Sequence, residues 1–363
     1  MPILANPLYA RRVDAAVDHV VQNPDLPLTL EDVAAVAGFS PFHFHRVFAA
    51  TTGETLHAFV TRVRLERALH LMAHRRTASL TEVALACGFS SSSHFSRTFR
   101  AHYGVSPRGL DIDRFRAERR LHLLDTLPAG QRQRFTGSDD EDGAPGPADA
   151  ADTADAADTA DAADTADAAL ASVRLRPLAG RRVAYARVVA PYSGGVAEAA
   201  AALVDWARGR GLDGGQWLGY QWDDPETVPL DRCRYDVGLE VPDDVGPAAT
   251  TGPDDLVVGF TVFPPTTVAE VDVSGTAADE LAALDLLYRT WLPASGWAPA
   301  HQPCFEAWRG LPFGDGTEHF ELTVQLPVVP LTDAVQPLGW GPAAPADAGP
   351  GGPISPGSRR RPR

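Results

Sequence analysis

Apolar residues recur at helical spacing through the first third of the chain and alternate with polar ones beyond residue 170. Leu8, Val13, Val17, Val20 and Val21 fall largely on one helical face, and that pattern stops before Pro24. Thr29 with Asp32 three residues on resembles a capping box opening a short helix through Val33, Ala34 and Val36. Gly38 supplies a turn, Ser40 a cap, and Pro41 a first helical position where its missing N–H is harmless. From about 55 to 75 there is no Gly or Pro, and Leu56, Phe59, Val63, Leu69 and Met72 predict one long helix. Ser79 and Glu82 then give a second capping box, Gly88-Phe89 a turn, and Ser90 or Ser91 a cap; Ser106 and Pro107 open a last helix in SPRGLDIDRFRAERR.

Two stretches repeat one plan, AAVAGFSPFHFHRVFAATTG at 34–53 and ALACGFSSSSHFSRTFRAHYG at 84–104. In each, small residues lead to a Gly-Phe-Ser turn, then a Phe, an Arg two residues on, a second Phe four after the first, and a Gly. This outlines a helix, a tight turn and a second helix, written twice. The second helices are expected at about 41–51 and 91–101. Phe44 and Phe48, like Phe95 and Phe99, are four apart, share a face and read as core. Facing away are Phe42, His43, His45 and Arg46 in the first unit and Ser92, Ser93, His94, Ser96 and Arg97 in the second. A connecting helix of about 21 residues spans roughly 31 Å. That is close to the roughly 34 Å of one duplex turn, so a rigid connector sets two such helices in adjacent major grooves.

On these residues, 7–115 resembles the DNA-binding domain of the AraC/XylS family of transcription regulators, with ALACGFSSSSHFSRTFRAHYGVSP following the family signature nearly position by position. The resemblance implies double-stranded DNA as partner, RNA polymerase as a further one, and base reading by Phe42, His45, Arg46, Ser92, Ser93, Ser96 and Arg97, with His43 and His94 beside them. Arg pairs bidentately with guanine, Ser bonds several base edges, and an aromatic ring touches a thymine methyl. A phosphate contact or an internal ion pair is the competing reading for Arg46 and Arg97. Four consecutive serines, Ser90 to Ser93, make the second helix a poor direct reader and shift weight to DNA shape.

From Gly137 the chain changes character. Asp recurs every third residue from Asp149 to Asp167 in an Ala-rich run, which puts like charges on neighbouring helical turns with no large apolar group to bury. Residues 137–170 are therefore expected to be a disordered acidic linker. Residues 173–330 hold a second duplication: strand, helix, strand and strand at 182–189, 196–208, 217–222 and 235–241, then at 267–273, 277–291, 304–309 and 320–326. Alternation in VAEVDV and FELTVQL marks half-buried strands, and Leu281, Leu284, Leu287 and Tyr288 a one-sided helix. Two such units are expected to join into one sheet with a cleft between the halves. The tail, 337–363, rich in Pro, Gly and Ala, is expected to be disordered. The fold class is thus multidomain: an all-α N-terminal domain with two helix-turn-helix motifs, an acidic linker, and an α+β domain of two pseudo-symmetric units.

The pieces LGYQWDDPETVP, RYDVGLEVP, LPASGWAP, PCFEAW and HFELTVQLPV, in that order, resemble the GyrI-like effector-binding domain. The resemblance implies a small aromatic or cationic effector, and places at Glu306, in PCFEAW, the buried carboxylate that meets cationic or polar ligands. Trp308 shares its strand face, and Tyr220 and Trp222 stand at the pseudo-equivalent places of the first half. A carboxylate ringed by aromatics suits a flat cation. The competing reading points Glu306 to solvent amid ordinary core aromatics. The alternative function is hydrolysis of reactive electrophilic small molecules, with Glu306 as general base.

Charge divides with the domains. The chain of 363 residues carries a formal −15, yet 1–135 hold 17 Arg against 12 acids, a net of +5, which leaves −20 for the rest. All 32 cations are Arg. No apolar run reaches the length of a membrane span, and MPILANPLYARR lacks a signal-peptide core, so a cytoplasmic protein without a membrane partner is expected. Cys87, Cys233 and Cys304 are far apart, show no metal spacing and lack a neighbouring basic motif, so neither a metal, a cofactor nor an alkyl-acceptor thiolate is expected. No heptad seam fixes an oligomeric state. The sequence reads as a one-component regulator, non-enzymatic, whose flexible linker argues against rigid transmission; domain docking, a changed surface for polymerase and protection from degradation are the candidate routes for the signal.

Overall fold

The computed structural model describes residues 7–75, 77–136, 170–246, 256–314 and 316–331; the expected linker at 137–169 and the tail at 337–363 lie outside them. The N-terminal part is helical: α1 (Pro7–Gln22), α2 (Leu30–Val36), α3 (Pro41–Thr52), α4 (Leu56–His74), α5 (Leu80–Ala86), α6 (Ser92–Tyr103), α7 (Ile112–Leu124) and α8 (Ala129–Thr136). Local chemistry sets the boundaries. Thr29 Oγ1 accepts from the Asp32 amide at 3.1 Å, and at α5 the Ser79 and Glu82 groups cap one another, at 2.6 and 3.2 Å. Ser91 caps α6 through the His94 amide at 3.1 Å. Ser40 occupies the cap position of α3 without a side-chain hydrogen bond.

The last predicted helix starts later than its Ser-Pro suggests. Ser106 accepts from Gly109 in a turn, and Asp111 caps α7 by accepting from the Arg114 amide at 3.0 Å. Helix α8, AGQRQRFT, has too little apolar patterning to be foreseen.

Helix α4 is the spine. Its first half, Leu56, Phe59, Val60 and Val63, packs with α1, α2 and the fully buried Phe44, Val47 and Phe48 of α3. Its second half, Leu65, Ala68, Leu69 and Leu71, packs with α5 and the fully buried Phe95 and Phe99 of α6. Each such Phe contributes about 2–3 kcal/mol by leaving water. The two helix-turn-helix units therefore hang on one rod of 19 residues, about 28 Å long.

The second part is one antiparallel sheet: β1 (Arg174–Leu178), β2 (Arg181–Val189), β3 (Trp217–Gln221), β4 (Arg234–Glu240), β5 (Gly259–Phe263), β6 (Thr266–Gly275), β7 (Trp297–Pro299), β8 (Cys304–Trp308) and β9 (Phe320–Pro330). Its order is β1-β6-β9-β8-β3-β4-β2-β5, with β7 on β9. The β8–β3 pair joins the two strand-helix-strand-strand units at the centre, as the duplication predicts. β1 and β5, absent from the sequence reading, each cross to the other unit's outer strand. Helices α9 (Val196–Arg208) and α10 (Ala277–Asp285) cover one face; α10 widens into a π-helical turn, Leu286–Trp291, where one continuous helix was expected. On the opposite face Val183, Tyr185, Leu218, Tyr220, Phe263 and Phe305 form a second cluster.

The two parts are in direct contact. Helix α1 lies along β2 and β5: Gln22 donates to Thr261 at 2.6 Å, and Tyr185 donates to Asp18 at 2.5 Å. Arg187 of β2 bonds Asp236 of β4 through two nitrogens at 2.8 and 2.7 Å, and reaches Asp18 at 2.6 Å and Asp14 at 3.4 Å. On the helical side, Arg116 and Arg120 of α7 hold Glu226 at 2.7 and 3.0 Å, and Arg134 of α8 pairs with Asp279 of α10.

Candidate nucleic-acid interface and effector cavity

The outer faces of α3 and α6 stay open with both domains present. Phe42 is 76% exposed, an unusual fraction for a large apolar ring. His45, Arg46, Ser93 and Arg97 are also exposed, while Ser92 and Ser96 are half-buried. No ion pair among the described residues engages Arg46 or Arg97, so neither guanidinium turns inward to an acid. His43 and His94 are exposed but held. His43 meets the edges of Phe39 and Tyr9, and His94 meets Phe89 with its Nδ1 3.3 Å from Ser90 Oγ. They brace the turns as much as they face outward.

Beneath α9 and α10 lies a cavity of about 550 Å³. Its floor is β8 beside β3, where Glu306 stands opposite Gly219. The Tyr235 hydroxyl of β4 donates to Glu306, and Glu280 of α10 shares a hydrogen bond with it. Gly219 makes the arrangement possible, because a Cβ there would collide with both the Tyr235 hydroxyl and the Glu306 carboxylate. Trp308, on the Glu306 face, packs against Phe313 and Phe320 with centroids 4.8 and 5.6 Å away. Glu306 keeps some accessible surface because it faces the cavity, yet protein surrounds it on every side. Burial pushes its carboxyl up, opposed by the Tyr235 and Glu280 hydrogen bonds. Burial and the Glu306 charge push Glu280 well up too, so the two hydrogen-bonded carboxyls titrate as a pair with at least one proton between them while they stay in contact.

Two of the four residues predicted for this site do not join Glu306. Register explains why: Tyr220 pairs with Phe305 and Gly219 with Glu306, so Tyr220 points to the opposite face, where it packs on Phe263 and Phe305. Trp222, beyond the end of β3, stacks on Phe263 and His301 and reaches the helical core; it borders the cavity near the DNA-binding half. The sequence reading missed Tyr235, Glu280 and Gly219. One signal was present for Glu280, which lies at helical spacing with Ala277, Leu284 and Tyr288, a lone acid on an apolar stripe.

Burial pushes the Cys87 thiol up to about 12 and raises Cys233 and Cys304 as well. Among the described residues no group of three or more His, Cys, Asp or Glu could hold a metal ion, and no helix is long and apolar enough to cross a membrane.

Residues 33–111 match the family model of a helix-turn-helix domain, and residues 171–329 that of a GyrI-like small molecule binding domain. Over 90 residues the chain is 37% identical to the probable transcriptional regulator LumQ of Photobacterium leiognathi, covering 25% of this chain and 36% of that protein. Over 97 residues it is 32% identical to the transcriptional regulator MtrA of Neisseria gonorrhoeae, covering 27% of this chain and 32% of that protein. The chain thus spans about a third of the length of these curated relatives. Among solved structures, an AraC-type transcriptional regulator from Chromobacterium violaceum is 33% identical, over 28% of this chain and 91% of that one, with a TM-score of 0.26. An uncharacterized conserved protein from Listeria innocua is 14% identical, over 44% and 92%, with a TM-score of 0.35. The chain joins an AraC-type helix-turn-helix domain to a GyrI-like small-molecule-binding domain.

Proposed function

We propose that the protein is a sequence-specific DNA-binding transcription regulator that responds to a small aromatic or cationic molecule, with RNA polymerase as the partner through which it acts. One observation carries the reading: two helix-turn-helix units share the rod α4, and Phe42, His45, Arg46, Ser93 and Arg97 remain uncovered on their outer helices. The Glu280 and Glu306 carboxyls set beside Trp308 in the cavity support a cation as effector. DNase footprinting of the full chain on its own upstream region tests it. The expected result is two protected patches one helical turn apart; failure to select any sequence over random competitor at moderate salt would overturn the regulator reading.

A second reading draws on the Tyr235 hydroxyl set against Glu306 in an enclosed cavity. There Glu306 would take a proton from water as it attacks a reactive electrophile such as an epoxide, and Tyr235 would give its proton to the ring oxygen as that oxygen's bond to the attacked carbon breaks. Hydrolysed product that accumulates with the wild type and disappears in Glu306→Gln decides for this reading.

A further inference from the structure

The cavity does not close within the GyrI-like domain. Its remaining wall comes from the helix-turn-helix half, with Val63, Glu66, His70 and His74 of α4 and Arg116 and Arg120 of α7. Positions 63, 66, 70 and 74 recur every three or four residues, so they form one stripe along the rod. The other sides of that rod are occupied by the two helix-turn-helix cores.

The stripe is tied to the effector domain by specific contacts. His70 lies 3.8 Å from Asp224, the His70 and His74 rings are 4.6 Å apart, and His74 is 5.1 Å from Tyr288. Burial, helped by His70 and the Arg116 charge, holds His74 well below the usual imidazole range, so it presents a neutral ring. Tyr288, on the turn that continues α10, lines the same cavity as Glu280 and Glu306. The space therefore runs from the Glu280 and Glu306 carboxyls to the Tyr288, His70 and His74 rings, and the two histidines come from the other domain.

We propose that the effector site is composite: an elongated organic cation seats its charge at Glu280 and Glu306 and lays its aromatic or apolar remainder against Tyr288, His70 and His74. The proposal rests on the reading of the C-terminal domain as a cation binder and extends it to the DNA-binding half. Helix α4 is then both the ligand-contacting wall and the spacer between the DNA-reading helices. An occupant that touches α4 favours one seating of the whole DNA-binding half on the effector domain, and if DNA favours another seating then by linkage DNA changes the cation's affinity by the same factor as the cation changes DNA's. Transmission then runs through the docked surfaces.

The full-length wild type is photolabelled with a quaternary ammonium carrying an aryl azide on a six-carbon chain, with and without excess tetraphenylphosphonium, and labelled peptides are mapped by mass spectrometry. The expected result is competed label on peptides spanning 63–74 or 116–128, reduced about tenfold in Glu306→Gln. Competed label confined to 173–330 overturns the composite site and leaves cation binding by the C-terminal domain standing. No competed label at all overturns the cation reading itself, and the composite site with it.

Discussion

Glu306→Gln tests the charge at the bottom of the cavity, and its effect depends on pH in a way that a packing defect would not. The wild type offers a cation the Glu306 carboxyl, whose ionised form accepts from the Tyr235 hydroxyl and stands in hydrogen-bond contact with Glu280. Glutamine keeps the shape and removes the charge. Loss of one charge-assisted contact costs about 1.5–3 kcal/mol, or roughly 10- to 150-fold in Kd. The sign of the pH dependence follows from the raised Glu306 carboxyl. The cation binds the ionised form, so wild-type affinity is full above the folded-state pKa and falls up to about tenfold per pH unit below it. The variant has no such group, so the gap between the two proteins narrows as the solution is acidified. Glu280→Ala shifts the profile instead of flattening it: with the Glu280 hydrogen bond gone, Glu306 ionises less readily and the acid-side loss moves to higher pH. Quenching of tryptophan fluorescence by tetraphenylphosphonium at pH 5 and pH 8 reads both variants, with the uncharged triphenylphosphine oxide as control. A Kd ratio equal at the two pH values, or an equal loss for the uncharged control, would refute the reasoning.

Three further outcomes are expected. Arg97→Ala weakens operator binding by about 1–3 kcal/mol and relaxes preference at one base position, read by mobility shift on a set of singly substituted operators; uniform weakening with the salt slope reduced by about one would make it a phosphate contact instead. Arg187→Met leaves Asp236 and Asp18 buried without their cation and costs about 3–5 kcal/mol in urea unfolding at neutral pH. Burial already lifts Asp236 to about 6 despite Arg187, so the folded state binds the extra proton and the defect shrinks on acidification; a defect that grows towards pH 5 contradicts the assignment. Gly88→Ala lowers the melting temperature far more than Gly53→Ala: both have φ near +75°, at +75 and +76, but a Cβ at Gly88 would meet the Pro24 carbonyl oxygen at 2.5 Å while Gly53 has open space around it.

Local signals made the helical half legible from the chain alone. Caps, turn glycines and Phe pairs act within a few residues, and Thr29, Gly38, Ser79, Gly88 and Ser91 sit at the boundaries their chemistry predicts. Ser106 misled because Ser-Pro suits a turn as well as a helix start, and the Asp111 cap lies five residues further on. In the sheet, alternation located most strands and gave each two faces, but it could not say which face of one strand continues which face of the next. That depends on register between β3 and β8, 87 residues apart at Gly219 and Glu306, and it is why Tyr220 was paired with a carboxylate on the far side of the sheet. The crossing of β1 and β5 between units, and the meeting of Tyr235, Glu280 and Glu306, are likewise set by contacts distant in sequence.

Charge asymmetry between the halves carries a second meaning once the domains are seen together. A surplus of Arg before residue 135 reads first as a phosphate-binding surface, yet Arg116, Arg120 and Arg134 spend their charge on Glu226, Asp285 and Asp279 of the other domain. At α1 the polarity reverses, with Asp14 and Asp18 gripping Arg187. Part of the basic excess is therefore complementarity between domains, whereas Arg46 and Arg97 are engaged by no acid among the described residues. The same ion pairs make docking sensitive to salt and to the protonation of Asp236, whereas the proposed DNA contacts at the α3 and α6 faces are expected to follow the counterion release that DNA imposes. A change that loosens docking at Glu226 and one that removes Arg97 thus separate in experiment: the first alters how ligand and DNA influence one another, the second alters DNA affinity with the cavity intact.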